Sequence, residues 1–316
     1  MKKLRIILTA LVTSTFLMSC ENDFVIENDE YINKIVVNSV FSNTGILSAE
    51  ITKTFSPYKS VNVAELSSAK VSLFKDGTFI EDLTYSKTPH DSLGKFVSTT
   101  IPEQGRRYSI KVTDPELGTA TSESSVPAPF GVSDLSAVWI KWGEYNTTSM
   151  RYNFKFTLHD QETTDYYYLT IAFPVMKKDE ETGLWHFYAY QYCQIETGDL
   201  PLHQLYLRNG FLFEDKAFNN TNHVVSGTAT AYREPFGDFD FEWPADTNKI
   251  KVDSLHLHIT VRKLTKELYT FYSSHATVLK NENNVYSEPT PIYSNIKNGV
   301  GVFGGEFVIE SVIETR

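Results

Sequence analysis

Short runs of β-branched and aromatic residues, separated by turn residues, recur from Lys34 almost to the end of this chain of 316 residues. Runs of this length and composition are typical of β-strands. The clearest local signal lies between Ala69 and Leu83, where two such runs flank Asp76-Gly77, a pair that suits a type I′ hairpin turn. The pattern predicts a mainly β protein.

The first group of strands, residues 34–126, predicts a β-sandwich of the immunoglobulin or fibronectin kind. Tyr108 stands three residues after Gly105 at the start of an alternating run, a placement that resembles the tyrosine corner of such sandwiches. Two prolines then disfavour both a sheet ladder and a helix, so residues 127–131 are predicted to be a linker.

Residues 132–316 predict a second, larger antiparallel β domain that carries one helix near the C-terminus. The helix is predicted over Thr265–Leu279, where apolar residues recur at helical spacing and form one face. A chain of this length can support two hydrophobic cores. The predicted strands of this domain cover residues 151–158, 165–173, 185–195, 224–233 and 252–261.

The first twenty residues, MKKLRIILTALVTSTFLMSC, have the layout of a secretory signal. A cationic start precedes an apolar segment that is too short for a spanning helix. The last four residues, Leu17 to Cys20, resemble a bacterial lipobox, which implies cleavage after residue 19 and acylation of Cys20. The alternative is an ordinary secretory signal with an incidental cysteine. We predict a signal peptide over residues 1–19 and anchoring in outer-membrane lipid through acylated Cys20.

An acidic tether, residues 20–33, follows the signal. The acidic run that begins at Glu21 resembles the export signal of surface-exposed lipoproteins of Bacteroidota, and the same run serves as a solvated tether. Removing the signal takes away three of the 29 basic residues and none of the 39 acidic ones. An acidic body argues against nucleic acid and against electrostatic docking on anionic lipid. Since Cys193 is then the one remaining cysteine, no disulfide can form within the mature chain.

Gly299, Gly301 and Gly304 have the G-x-G-x-x-G spacing of a dinucleotide-binding loop. Such a loop needs a helix after it, whereas an alternating run over Glu306–Ile313 predicts a final strand here. We therefore predict no nucleotide cofactor. The glycines are expected to shape a tight turn into the last strand and to allow close backbone approach.

Two sequence patterns contain residues that could bind a metal ion. Asp238, Asp240 and Glu242 have the opening rhythm of a calcium loop, but the residues that an EF-hand requires later in the loop are missing. His256 and His258 project from one face of a predicted strand, with no third ligand identifiable nearby. We predict no metal site. For the acidic run, a calcium site of another kind remains an alternative, and for the two histidines the alternative to a metal site is a half-exposed strand face.

Motifs of hydrolytic enzymes are missing from the sequence, including the G-x-S-x-G elbow and the H-E-x-x-H zinc motif. A pair of catalytic carboxylates cannot be located from sequence, because the separation that matters is spatial. We predict no catalytic residues and no cofactor.

Aromatic residues offer the best candidate for a binding surface. Alternation along the predicted strand Trp185–Ile195 places Trp185, Phe187, Ala189, Cys193 and Ile195 on a core face. A row of tyrosines on the other face would give rigid surface with hydroxyl groups. The simpler interpretation is cross-strand packing beneath the helix or the other domain. The candidate ligand-binding residues are His186, Tyr188, Tyr190 and Tyr192.

Three segments of the C-terminal third carry a family resemblance: Asp253–Leu257, Tyr286–Pro289 and Ser294–Gly305. Together with the lipobox and the first strand, IVVNSVF, they resemble the Bacteroidota outer-membrane lipoprotein family labelled domain of unknown function 4249. The resemblance covers essentially the whole mature chain. It implies an accessory lipoprotein that works beside a TonB-dependent outer-membrane receptor, and it brings no catalytic residues.

Related lipoproteins are O-glycosylated at Asp-Ser or Asp-Thr followed by an apolar residue, and two segments match this short pattern. Asp91-Ser92-Leu93 lies in a polar loop, which makes Ser92 the candidate acceptor. Asp253-Ser254-Leu255 opens a predicted strand, where the same pattern has a structural explanation.

The resulting functional hypothesis is a lipid-anchored outer-membrane lipoprotein that faces the cell exterior. It would act as a non-enzymatic accessory, capturing ligand for a TonB-dependent receptor in nutrient uptake. The alternatives are a surface adhesin or envelope-structural β-sandwich protein, and an envelope hydrolase.

Overall fold

A computed structural model describes residues 32–56, 63–89, 91–140, 149–160, 163–198, 205–207, 210–232, 250–253, 256–281 and 290–315. The signal peptide, Cys20, the acidic tether up to residue 31, and the acidic run Asp238–Glu242 lie outside the described residues. Ser254 and Tyr286–Pro289 lie outside them as well.

Strands dominate the described ranges, which contain one helix near the C-terminus, and this confirms the predicted mainly β fold. In chain order the elements are β1 Ile35–Ser42, β2 Ser48–Lys53, β3 Ala64–Glu65, β4 Lys70–Lys75, β5 Thr78–Asp82, β6 Thr84–Ser86, β7 Lys95–Val97, β8 Arg107–Asp114, β9 Gly118–Ser125, β10 Gly131–Trp139, β11 Ser149–His159, β12 Tyr166–Lys178, β13 Trp185–Tyr192, β14 Gln194–Glu196, β15 Leu205–Leu207, β16 Gly210–Glu214, β17 Asn222–Tyr232, β18 Ile250–Val252, β19 His256–Leu264, α1 Lys266–Asn281 and β20 Gly299–Glu314.

Three sheets organise the described strands. The central sheet runs in the order β15-β16-β12-β19-β20-β1-β2-β7-β6, with β13 and β18 also paired to β12 and β3 paired to β2. The other two have the orders β5-β4-β8-β9 and β10-β11-β17-β14. Each smaller sheet closes one hydrophobic core against the central sheet: β4 and β8 share a core with β1 and β2, and β11 and β17 share one with β12 and β19. The architecture is that of packed sheets.

Local sequence signals of the first sandwich are confirmed. Asp76 and Gly77 both have positive φ, at 50° and 82°, as the type I′ turn between β4 and β5 requires. Tyr108 is fully buried, and its hydroxyl accepts the backbone N–H of Glu103 at 2.9 Å. This is the bond that a tyrosine corner makes to the backbone a few residues upstream.

The segment predicted as a linker, residues 127–131, connects two cores that share a sheet. Phe130 is buried, and its ring lies 5.5 Å from that of Tyr167 and 5.9 Å from that of Phe307. Asn33–Arg316 forms one compact unit. The two predicted domains are therefore joined by strand pairing and by packing of Phe130, and the short segment marks the passage from one core to the other.

Strand β20 makes this connection. Its first half pairs in parallel with β1, from Ile35↔Gly299 to Ser42↔Glu306. Its second half pairs antiparallel with β19, from Leu264↔Glu306 to His256↔Glu314. One strand from the end of the chain thus belongs to both predicted domains.

The glycines of the G-x-G-x-x-G pattern lie inside β20, so the predicted tight turn at this position is wrong, whereas the predicted close approach is confirmed. A Cβ at Gly301, which has a φ of 112°, would overlap the carbonyl oxygen of Val37 on the paired strand. A Cβ at Gly304 would lie 2.8 Å from the Cβ of Leu268 on α1. Glycine is required here because backbone and helix pack directly on the strand.

Helix α1 closely matches the predicted Thr265–Leu279. Leu268 and Ala276 are buried, and Leu268 packs on β20 at Gly304. Leu279, the last residue of the predicted helix, is 42% exposed, so the apolar face is not buried as far as this residue. Within the described part of the chain, no helix is long and apolar enough to cross a lipid bilayer.

Candidate ligand-binding site

The outer face of the central sheet carries two grooves. Because side chains alternate along a strand, Leu169, Ile171 and Phe173 of β12 point into the core. Thr170 and Ala172 point to the opposite face, where their small side chains leave a groove between larger side chains. Tyr190 and Tyr192 of β13 are among those larger side chains.

The larger groove, here called the aromatic groove, has a volume of about 490 Å³ and lies between α1 and the outer faces of β1 and β2. Its aromatic wall consists of Tyr168 from β12 and Phe271, Tyr272 and His275 from α1. The rings are mutually supported: Tyr168 lies 5.9 Å from Tyr272, and Phe271 stacks on His275 at 6.4 Å. Phe271 and His275 are nearly parallel, whereas the Tyr272 ring is tilted by 48° to that of Tyr168, so the wall is a preformed, faceted aromatic surface.

The opposite side of the aromatic groove is polar. Asn38, Glu50 and Lys95 line it, and the Lys95 ammonium lies 3.3 Å from the Glu50 carboxylate. A groove with aromatic plates on one side and hydrogen-bonding groups on the other suits an organic ligand that has a flat apolar face and a polar edge.

The smaller groove, here called the polar groove, has a volume of about 230 Å³ and lies beside β13. His258 Nδ1 lies 2.8 Å from Glu310 Oε1, and Arg262 donates a hydrogen bond to Thr170 at 2.8 Å. Burial raises the pKa of Glu306, and the guanidinium of Arg262, 3.8 Å away, opposes this shift. The charged groups of this groove are therefore engaged with one another.

Arg262 connects the two grooves. It lines the polar groove, and its guanidinium lies 5.6 Å from the centre of the Tyr168 ring, which belongs to the aromatic wall. A cation above an aromatic face is attracted by the ring quadrupole. A ligand that displaces Arg262 or Tyr168 would therefore change the lining of both grooves.

The predicted row of aromatic residues on β13 is divided by a β-bulge. Val175 pairs with Ala189 but Met176 pairs with Phe187, so Tyr188 is the extra residue. The bulge reverses the alternation. Tyr190 and Tyr192 line the polar groove, whereas Tyr188 lies beneath the ammonium of Lys177 at 5.2 Å and His186 is exposed. Ligand binding by these four residues stays a prediction, and the structure brings two of them to a groove.

The bulge also overturns part of the predicted core face. Phe187 is 51% exposed, because the reversed alternation places its ring against Tyr190, at 4.9 Å. Cys193 and Ile195, beyond the bulge, are buried as predicted. Burial raises the pKa of the Cys193 thiol, which keeps it protonated and unreactive.

The two histidines of β19 have separate partners. His256 Nδ1 lies 2.8 Å from Asp253 Oδ2, while His258 Nδ1 lies at the same distance from Glu310 Oε1. A carboxylate that holds an imidazole fixes its orientation. The structure therefore gives each ring a position of its own beside a carboxylate.

Ser92 is exposed in the loop between β6 and β7. The loop is held by hydrogen bonds between Thr88 and Asp91, including one from the Thr88 N–H to the Asp91 carboxylate at 2.7 Å. Ser92 therefore lies on the surface, and its O-glycosylation stays a prediction.

The aromatic groove was not predicted, because Phe271 and Tyr272 belong to the apolar face predicted over Thr265–Leu279, and such a face usually indicates packing against a core. One signal could have revealed it. A helix face on which Tyr272 and His275 stand beside Phe271 mixes polar and apolar side chains. Such a helix face is more typical of a half-exposed position than of a buried one.

Comparison with known proteins identifies a family. The sequence model of the family described as Domain of unknown function (DUF4249) matches residues 21–308. Among curated proteins, none matches the chain. Among solved structures, the chain is similar to the yeast delta-COP-I mu-homology domain complexed with a Dsl1 WxWxV peptide, at 11% identity and a TM-score of 0.18, with 89% of this chain and 96% of that chain covered. A likeness with so low a TM-score carries no argument about function.

Proposed function

The chain belongs to the family described as Domain of unknown function (DUF4249), as its terminal segments predicted, and we propose that it is a non-enzymatic, lipid-anchored ligand-capture protein of the outer membrane. It would face the cell exterior and work with a TonB-dependent receptor in nutrient uptake. The observation that carries this proposal is the aromatic groove of about 490 Å³. Small-molecule sites are concave, largely preformed and about 300–1,000 Å³ in volume.

The polar groups of both grooves are held in pairs, which fits ligand recognition. Glu50 is engaged with Lys95, and His258 with Glu310. Groups that are fixed by mutual ion pairs suit recognition of a ligand edge, because their orientation is set before the ligand arrives.

The N-terminal segment supports the anchored location. Between the predicted acylated Cys20 and the first strand at Ile35 lie fourteen residues, rich in acid. A chain spans at most about 3.3–3.6 Å per residue, so this tether allows a reach of about 50 Å from the membrane surface. That distance would let the groove approach the mouth of a neighbouring receptor.

Affinity purification of the tagged full chain from mildly solubilised outer membranes tests the proposal. We expect a TonB-dependent receptor among the partners. Cys20→Ser should leave the membrane fraction and lose the receptor, because it removes the acylated residue. Cys193→Ser is the matched control, since this buried thiol has no part in anchoring, and it should retain both.

Two results would contradict the proposal. One is wild-type protein that purifies from the outer membrane without any such receptor. The other is Cys20→Ser protein that stays membrane-bound as firmly as Cys193→Ser, which would leave the ordinary secretory signal as the explanation of the N-terminus.

A further inference from the structure

Three aspartates from two connections, the one between β11 and β12 and the one after β16, meet at one end of the core between the central sheet and the sheet of β11. Asp160 follows β11, Asp165 directly precedes β12, and Asp215 directly follows β16. One carboxylate oxygen from each lies within 4.8 Å of the other two. Asp165 and Asp215 are buried and Asp160 is half-buried.

Hydrogen bonds fix the orientation of these carboxylates, but one oxygen of Asp215 receives none from the described residues. Asp160 accepts the hydroxyl of Tyr167 and the backbone N–H of Asn220, each at 2.9 Å. Asp215 Oδ2 accepts the backbone N–H of Asp165 at 2.8 Å. Asp215 Oδ1 is fully buried and accepts no N–H or ammonium hydrogen bond from the described residues, and the carboxyl groups of Asp215 and Asp160 lie against each other. Two buried carboxyl groups in contact need a proton or a cation between them, so the cluster offers a place for a cation.

The charges point to the same conclusion. Lys263, of which 4% of the side chain is exposed, forms an ion pair with Asp165. Lys263 balances one of the three carboxylates, and burial raises the pKa of Asp215 to about 7, because a further negative charge is unfavourable in a place largely withdrawn from water. Buried charges are paired or coordinate a metal ion. A divalent cation supplies the missing charge.

We propose that Asp160, Asp165 and Asp215 bind a calcium ion. Calcium takes oxygen ligands at about 2.3–2.6 Å, so two oxygens on one ion can be up to about 5 Å apart. Magnesium binds at about 2.0–2.1 Å, which limits that separation to about 4.2 Å. The spread of up to 4.8 Å within the cluster therefore fits calcium better. The acidic run Asp238–Glu242 lies outside the described residues and has no part in this proposal.

The position of the ion gives it a structural role. Strand β11 belongs to a four-stranded sheet, and β12 and β16 belong to the central sheet. An ion held by the ends of all three fastens the two sheets together beside the core. Binding to the folded chain alone stabilises it by mass action, so the melting temperature should depend on calcium.

Calorimetric titration and thermal unfolding of the mature full chain, after treatment with EDTA, test the site. We expect one calcium ion per chain and a melting temperature that rises by several degrees with calcium and much less with magnesium. Asp215→Asn should lose both responses while it still folds, because its amide can donate a hydrogen bond to Asp160. Asp160→Asn provides a second variant with the same expectation. Asp76→Asn, in the distant hairpin turn, is the matched control and should respond like wild type.

Each contrary result would overturn the proposal. Wild-type protein that binds no calcium would show that a proton shared between Asp160 and Asp215 satisfies the cluster. A full calcium response in both Asp215→Asn and Asp160→Asn would place the ion elsewhere. Equal stabilisation by magnesium would contradict the assignment to calcium.

Discussion

Glu81 on β5 is the clearest case of a single residue that makes the stability of this fold depend on pH. Its carboxylate accepts hydrogen bonds from the hydroxyls of Ser98 and Thr100, and from the backbone N–H and hydroxyl of Thr99. Burial raises the pKa of Glu81, but these donors outweigh it together and hold the pKa at about 2. They fasten β5 to the connection that follows β7.

We expect Glu81→Gln to lower the free energy of unfolding at neutral pH by about 1–3 kcal/mol, because a neutral amide makes weaker hydrogen bonds than a carboxylate. The folded-state pKa lies below the ordinary value of 4.5, so the wild-type contribution is present above pH 4.5 and is lost as the pH falls towards 2. Urea unfolding at a series of pH values measures this loss. Glu116→Gln, at an exposed position, should follow wild type. Identical pH curves for Glu81→Gln and wild type would refute the assignment.

At the scale of elements, β20 holds the molecule together. It pairs with β1 in one half and with β19 in the other, and α1 packs on it at Gly304. At Gly305 the strand meets β9, where a Cβ would overlap the carbonyl oxygen of Ser125. Backbone atoms cannot move aside as a flexible side chain can.

Gly305→Ala is therefore expected to reduce the free energy of unfolding by about 3 kcal/mol, at the upper end of overpacking costs. Gly45→Ala is the matched control, because nothing lies within 4 Å of the Cβ that it adds. Its effect should stay within about 0.5 kcal/mol. Denaturant unfolding of the two variants gives the comparison, and a Gly305→Ala protein as stable as Gly45→Ala would show that β9 and β20 are not in direct contact.

Elements differ in how far the sequence predicts them. The hairpin at Asp76-Gly77 and helix α1 follow from local preferences, and both were predicted. The parallel pairing of β1 with β20 joins opposite ends of the chain, and no local signal encodes it. The bulge at Tyr188 was equally hidden, since the residues around it continue to alternate in sequence while the backbone does not.

The whole molecule explains why the aromatic groove exists. Helix α1 covers the central sheet where Gly304 admits Leu268, and farther along it stands away from β1 and β2. The gap between helix and sheet is the groove, so its aromatic wall is held by the fold itself. Sequence could predict the helix and its aromatic residues, but the part of the sheet that the helix leaves open depends on how all three sheets assemble.

Native mass spectrometry of the acylated full chain, released from outer membranes of cells grown in rich medium, tests ligand capture most directly. We expect wild-type protein to carry a small molecule and Tyr272→Ala to lose it, because Tyr272 forms part of the aromatic wall. Leu279→Ala, an exposed change on the same helix, should keep it. Wild-type protein without a bound molecule, or a molecule that Tyr272→Ala retains as well as Leu279→Ala does, would contradict capture in the aromatic groove.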